Sequence, residues 1–90
     1  MTEARALAVK RLSMRSMRRG IKEMDLILSA FAAAELAALP DDELALYERL
    51  LEENDQELYR WVSGQDAPPA DYAGLIARIA AGATGIARPA

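Results

Sequence analysis

Apolar residues recur along the chain at helical spacing, in blocks of roughly ten to twenty residues separated by glycine, proline or acidic breaks. The first block runs from about Ala6 to Arg19 and closes at Gly20, where a helix is expected to end with φ above zero. In the second, from Ile21 to about Leu39, Ile21, Met24, Ile27, Leu28, Phe31, Ala34 and Ala38 share one stripe. Its alanines allow close helix–helix approach, and Pro40 stops it. Asp41, Asp42 and Glu43 suit the positive end of the next helix dipole and precede Leu44, Tyr47, Leu50 and Leu51. Asn54 or Asp55 can cap a fourth helix, whose apolar face of Leu58, Trp61 and Val62 ends at Gly64. Beyond Pro68-Pro69, Leu75, Ile76 and Ile79 mark a fifth, ending before Gly82. Valine occurs only at positions 9 and 62, and no segment alternates over a strand length. The expected fold is all-α: one compact bundle of five short helices over residues 1–90, with 1–5 and 83–90 flexible. Tyr47, Tyr59 and Trp61 read as core aromatics, with Trp61 foremost and packed on Leu50 or Leu51.

Composition narrows the chemistry. The 90 residues include no His and no Cys, which excludes a Ser-His-Asp triad, a His-ligated or thiolate metal site and a cysteine nucleophile. The acids at 52, 53, 55 and 57 lack the spacing of a calcium loop, so they read as capping and solvation, and no metal is expected. Glu35 interrupts the longest Ala/Leu stretch, so no membrane insertion is expected. The Arg-rich start superficially suggests a presequence, but the first helix needs those residues; a cytoplasmic chain without a cleavable segment is expected.

Charge changes the picture further. Residues 1–22 carry seven Lys/Arg against Glu3 alone, a local +6, whereas residues 23–66 carry twelve acids against Arg49 and Arg60, a local −10. Either the basic end meets an acidic partner, or the two segments form complementary faces of one surface. On a continuous helix Arg11, Arg15, Arg18 and Lys22 would share a face and form a docking stripe; a solvated face is the plainer alternative. Nucleic acid would want a net-basic domain with exposed aromatics, and this chain has neither.

The segment Arg18-Arg19-Gly20-Ile21-Lys22-Glu23-Met24-Asp25 stands out at the first break. Locally, Gly20 acts as a hinge, and Glu23 three residues later can accept from the Gly20 N–H as in a capping box. A glycine there also lets a partner's backbone or cofactor come close, and the adjacent arginine presents five donors.

The run Arg11 to Asp25 strongly resembles the small flavinylation factors of succinate dehydrogenase, the SdhE-like or succinate dehydrogenase assembly factor 2 family. Their R-G-x-x-E hallmark is here Arg19, Gly20 and Glu23, with Asp25 where the family usually has Asp. Leu50-Leu51-Glu52, Asp55, Leu58, Tyr59, Trp61 and Pro68 resemble the family's second block, although Gln56 stands where many members have Pro. The resemblance implies a five-helix bundle that binds the flavoprotein subunit of succinate dehydrogenase, and sometimes fumarate reductase. It also implies promotion of covalent FAD attachment, in which a histidine of the partner joins the flavin 8α carbon. Arg19, Gly20 and Glu23 would face that partner, with Asp25 and Arg15 beside them; Arg18 receives no role by resemblance. A chaperone rather than an enzyme is implied, monomeric when free, with no FAD bound stably because the flavin belongs to the partner. Two rivals are a nucleic-acid-binding or toxin-neutralising regulator, disfavoured by the acidic stretch, and a FAD carrier, for which no glycine-rich phosphate loop is present.

Overall fold

The computed structural model describes residues 3–83. Five helices follow one another: α1 (Glu3–Arg15), α2 (Lys22–Glu35), α3 (Asp41–Leu50), α4 (Asp55–Ser63) and α5 (Ala73–Gly82), with short 3-10 turns at Leu36–Ala38 and Ala70–Tyr72. Among the described residues there is no strand. The flexible ends expected from sequence lie, for residues 1–2 and 84–90, outside the described part.

The core forms around α2, which packs against α1, α4 and α5. Met24, Ile27, Leu28 and Phe31 are all buried on one face of it, as their spacing requires. The stripe does not continue through Ala34 and Ala38, which are exposed. With Pro40 just ahead, the chain tightens after Glu35 into the 3-10 turn, and its change of pitch swings Leu36 and Leu39 inward instead. Leu44, Tyr47 and Leu50 of α3, Leu58 and Val62 of α4, and Leu75, Ile76 and Ile79 of α5 close the core.

Two aromatic assignments change. Tyr47 is fully buried and stacks on Phe31 at 5.5 Å between ring centroids, so it is the central aromatic. Trp61 is only partly buried and lies over Tyr72, with centroids 5.9 Å apart. It falls to the edge of the α4 face because Leu58 and Val62, flanking it at helical spacing, take the inward direction.

α1 is bound differently from the rest. Leu12 is its one buried apolar side chain; Ser16 follows in the turn, its Oγ bonded to Leu12 O at 2.8 Å and to the Tyr47 hydroxyl at 2.6 Å. Ala8 and Val9 pack half-buried against the core, and the remaining ties are ionic. Arg5 bonds Asp41, Arg11 Nη1 donates to Glu48 Oε2 at 2.8 Å, and Arg15 Nη2 donates to Glu52 Oε1 at 2.5 Å. These pairs keep a sequence separation of 36, 37 and 37, so α1 and α3 lie side by side in the same direction. The basic start and the acidic middle are therefore complementary faces of one surface. Arg11, by hydrogen bond first, holds the Glu48 carboxyl below its ordinary range.

Burial pushes the Tyr47 hydroxyl above its ordinary pKa of 10.0, and its bond to Ser16 only partly opposes this. A raised folded-state pKa means the contribution is complete below the unfolded value and is lost as pH rises through the folded one. Thermal melts should therefore be flat at neutral pH and drop above about pH 10. Tyr47→Phe should lower stability by about 1 kcal/mol at pH 7 and flatten that alkaline drop; an equally steep drop in the variant contradicts the assignment.

Candidate functional site

The turn between α1 and α2 and the start of α4 meet at one carboxylate. Asn54 caps α4, its side chain accepting from the Gln56 N–H at 2.8 Å. Asp55, the first helical residue, is thus relieved of capping and turns across the bundle while remaining at the favourable positive end of α4. Its Oδ1 accepts from Arg19 Nε at 2.8 Å and lies 2.8 Å from Arg19 Nη2, and its Oδ2 accepts from the Gly20 N–H at 2.6 Å. Arg19 also donates to Leu51 O at 3.1 Å and to Arg15 O at 3.3 Å. The pair is largely enclosed, with side chains 12% and 18% exposed.

This geometry corrects three local expectations. The first helix does not run to Arg19: it ends at Arg15, and the left-handed residue of the turn is Arg18, with φ of 56°, not Gly20. Gly20 is needed for space instead, since a Cβ there would stand 3.1 Å from Asp55 Oδ2. No capping box forms, because Asp55 takes the Gly20 N–H; α2 starts at Lys22 with Ile21 as its cap residue, which puts Glu23 at the second helical position rather than the third. The docking stripe of Arg11, Arg15, Arg18 and Lys22 is likewise broken by the turn at 16–18, and its two members on α1 are paired with Glu48 of α3 and with Glu52 just after it.

The residues singled out by sequence separate into two groups. Arg19 and Gly20 converge on Asp55, and Arg15 adjoins them through its carbonyl. Glu23 makes no hydrogen bond or ion pair among the described residues; with Ile21, Gln56, Tyr59, Arg60 and Gln65 it lines a groove of about 400 Å³ beside the corner. Asp25 faces elsewhere, half-buried, and accepts from Ser29 Oγ at 3.2 Å. The arrangement offers a rigid exposed glycine, a free carboxylate and a polar groove, which suits binding rather than covalent chemistry. The sequence did hold a signal for Asp55: with the Asn54 amide able to cap α4, the neighbouring carboxylate was surplus to that task. Tyr59 was read as core and is half-buried along the groove.

Residues 10–83 match the family described as the flavinator of succinate dehydrogenase. The chain belongs to that family. The FAD assembly factor SdhE of Legionella pneumophila (strain Lens) is 36% identical over 62 residues, covering 69% of this chain and 78% of that protein. The mitochondrial succinate dehydrogenase assembly factor 2 of Mycosarcoma maydis is 42% identical over 72 residues, covering 80% of this chain and 30% of that protein. That of Aspergillus terreus is 48% identical over 58 residues, covering 64% and 19%. The chain thus spans less than a third of these fungal relatives. The matched range takes in the whole Arg19–Gly20–Asp55 corner and the groove, whereas the first two turns of α1 precede it.

Asp55→Ala strands an enclosed guanidinium and the Gly20 N–H, and should cost about 2–4 kcal/mol in denaturant unfolding. Gly20→Ala, which forces the carboxylate back by a few tenths of an ångström, should cost about 1 kcal/mol. Arg18→Gly should stay within about 0.5 kcal/mol of the parent, because relief at φ 56° is offset by unfolded-chain entropy. An Asp55→Ala protein as stable as the parent would remove this corner's structural role.

Proposed function

We propose that this chain is an assembly chaperone: it binds the flavoprotein subunit of succinate dehydrogenase and promotes that subunit's covalent attachment of FAD, without being an enzyme itself. Membership of the flavinator family supports the reaction class. The observation that carries the docking site is Glu23, a carboxylate left free beside a glycine corner that is otherwise fully tied down. A chain without His cannot be the histidyl acceptor, and one without His or Cys brings little acid–base or nucleophilic chemistry of its own. Its contribution is positional.

Flavin attachment needs the isoalloxazine held against the acceptor imidazole, with developing negative charge stabilised; those groups belong to the partner. A chaperone acts by binding the productive arrangement of that partner more tightly than the rest. If the productive arrangement is about 1% populated alone, roughly 2.7 kcal/mol of preferential binding raises it to about half. The exposed corner and groove give a small polar interface suited to that differential, and FAD remains the partner's cofactor. A cytoplasmic site of action and a monomeric free state accompany this reading. A nucleic-acid role fits less well, since four of the seven basic residues in 1–22 are paired internally with Asp41, Glu48, Glu52 and Asp55.

The test is in-gel flavin fluorescence of the flavoprotein subunit co-expressed with the chain. Glu23→Ala should reduce covalent flavin at least tenfold while leaving the melting temperature within a degree or two, because no internal contact is lost. Normal flavin incorporation with that variant, or with the chain deleted, sinks the reading.

A further inference from the structure

The outer face of α1 carries the most exposed large apolar side chains among the described residues: Leu7 and Met14 are 61% and 62% exposed. They border a shallow furrow of about 820 Å³ lined also by Ala4, Ala8, Lys10, Arg11 and Arg15. The positions Ala4, Leu7, Arg11 and Met14 are spaced three, four and three, the repeat of a coiled-coil seam, and this seam faces away from the core. Lys10 and Arg15 flank it at the positions that set partner choice in such pairings. Small residues at 4 and 8 allow another helix to approach closely, and Met14 can adapt to its surface.

Charge decides the occupant. Among the described residues, the cations without a carboxylate within ion-pair distance are Lys10 on α1, Arg18 in the turn after it and Lys22 at the start of α2. Arg11 remains 51% exposed although paired. A second copy would bring Lys10, Arg11 and Arg15 against their own kind, which disfavours self-pairing. We propose that α1 is a second docking surface, which takes an amphipathic helix of the flavoprotein partner with acidic residues flanking its apolar seam. This rests on the chaperone reading and extends it: the furrow leads along α1 to Arg15, whose carbonyl accepts from Arg19 at the glycine corner.

The experiment titrates purified flavoprotein subunit against the full-length chain and its variants. Met14→Glu and Lys10→Glu, both at exposed positions, should each weaken binding at least fivefold with unchanged melting, and a photo-crosslinker at position 14 should label an acidic helix of the subunit. Should Met14→Glu alter melting, Lys10→Glu decides the matter. Parental affinity in both variants overturns the seam while leaving the chaperone reading intact. A parent that does not bind the subunit at all overturns both. Concentration-dependent dimerisation abolished by Met14→Glu also overturns the proposal, since the occupant is then a second copy.

Discussion

A single carboxylate joins the two parts of this molecule that the chain would otherwise leave separate. Asp55 sits at the start of α4, 35 residues from Gly20, and receives both the Gly20 N–H and the Arg19 guanidinium. Charge-assisted bonds of this kind are about twice as strong as neutral ones, and here they are made in a largely enclosed setting. The turn between α1 and α2 packs only Ile21, in part, against the core, leaves Met17 48% exposed, and would fray if left to itself. Held by Asp55, it presents Gly20 and the first turn of α2 in one fixed orientation. The groove beside Glu23 exists because both of its walls, Ile21 from the turn and Gln56 and Tyr59 from α4, are fastened at that point.

The same economy of charge explains α1. With Leu12 as its single buried apolar side chain, it cannot be kept in place by burial alone. Exposed ion pairs are individually weak, but two against α3, a third at Glu52 just after it and a fourth at Asp55 act in register along one seam. The local charges of +6 and −10 in the sequence are thus mostly spent within the fold. The cations left without an ion-pair partner among the described residues, Lys10, Arg18 and Lys22, lie on α1, in the turn after it and at the first position of α2. An element tied by its edge and bare on its outer face is well placed to be contacted by another protein.

Much of this architecture is legible in the sequence, and the failures have a common cause. The five helices follow from periodicity because their apolar faces are long and their breaks are chemically explicit, as at Pro40, Asn54 and Gly64, where φ is 84°. The errors fall where a distant residue outcompetes a local rule. Glu23 loses the Gly20 N–H to a carboxylate 35 residues away. The helix of Arg11 and Arg15 stops before Arg18, where the backbone turns left-handed and brings Arg19 and Gly20 onto Asp55. Trp61 yields the interior to Tyr47, which has Phe31 to stack on and Ser16 to satisfy its hydroxyl. Single-chain spacing carries none of these long-range partners, although the surplus of Asp55 beside a competent cap was a visible hint.

The division of labour between Arg18 and Gly20 bears on why the corner is built as it is. A left-handed conformation costs a non-glycine residue about 1 kcal/mol, so an economical turn would put its glycine at position 18. The glycine stands instead at 20, where φ is ordinary and the issue is room for a carboxylate. The chain thus accepts backbone strain at one residue in order to bring the next two against Asp55, and such strain persists only where surrounding bonds over-determine the geometry. A corner held this firmly loses little freedom when a partner closes on it, so less of the contact energy is spent on ordering. For a protein that works by favouring one arrangement of another, that rigidity lets even a small polar interface discriminate between arrangements: a misplaced partner meets a fixed surface rather than a yielding one.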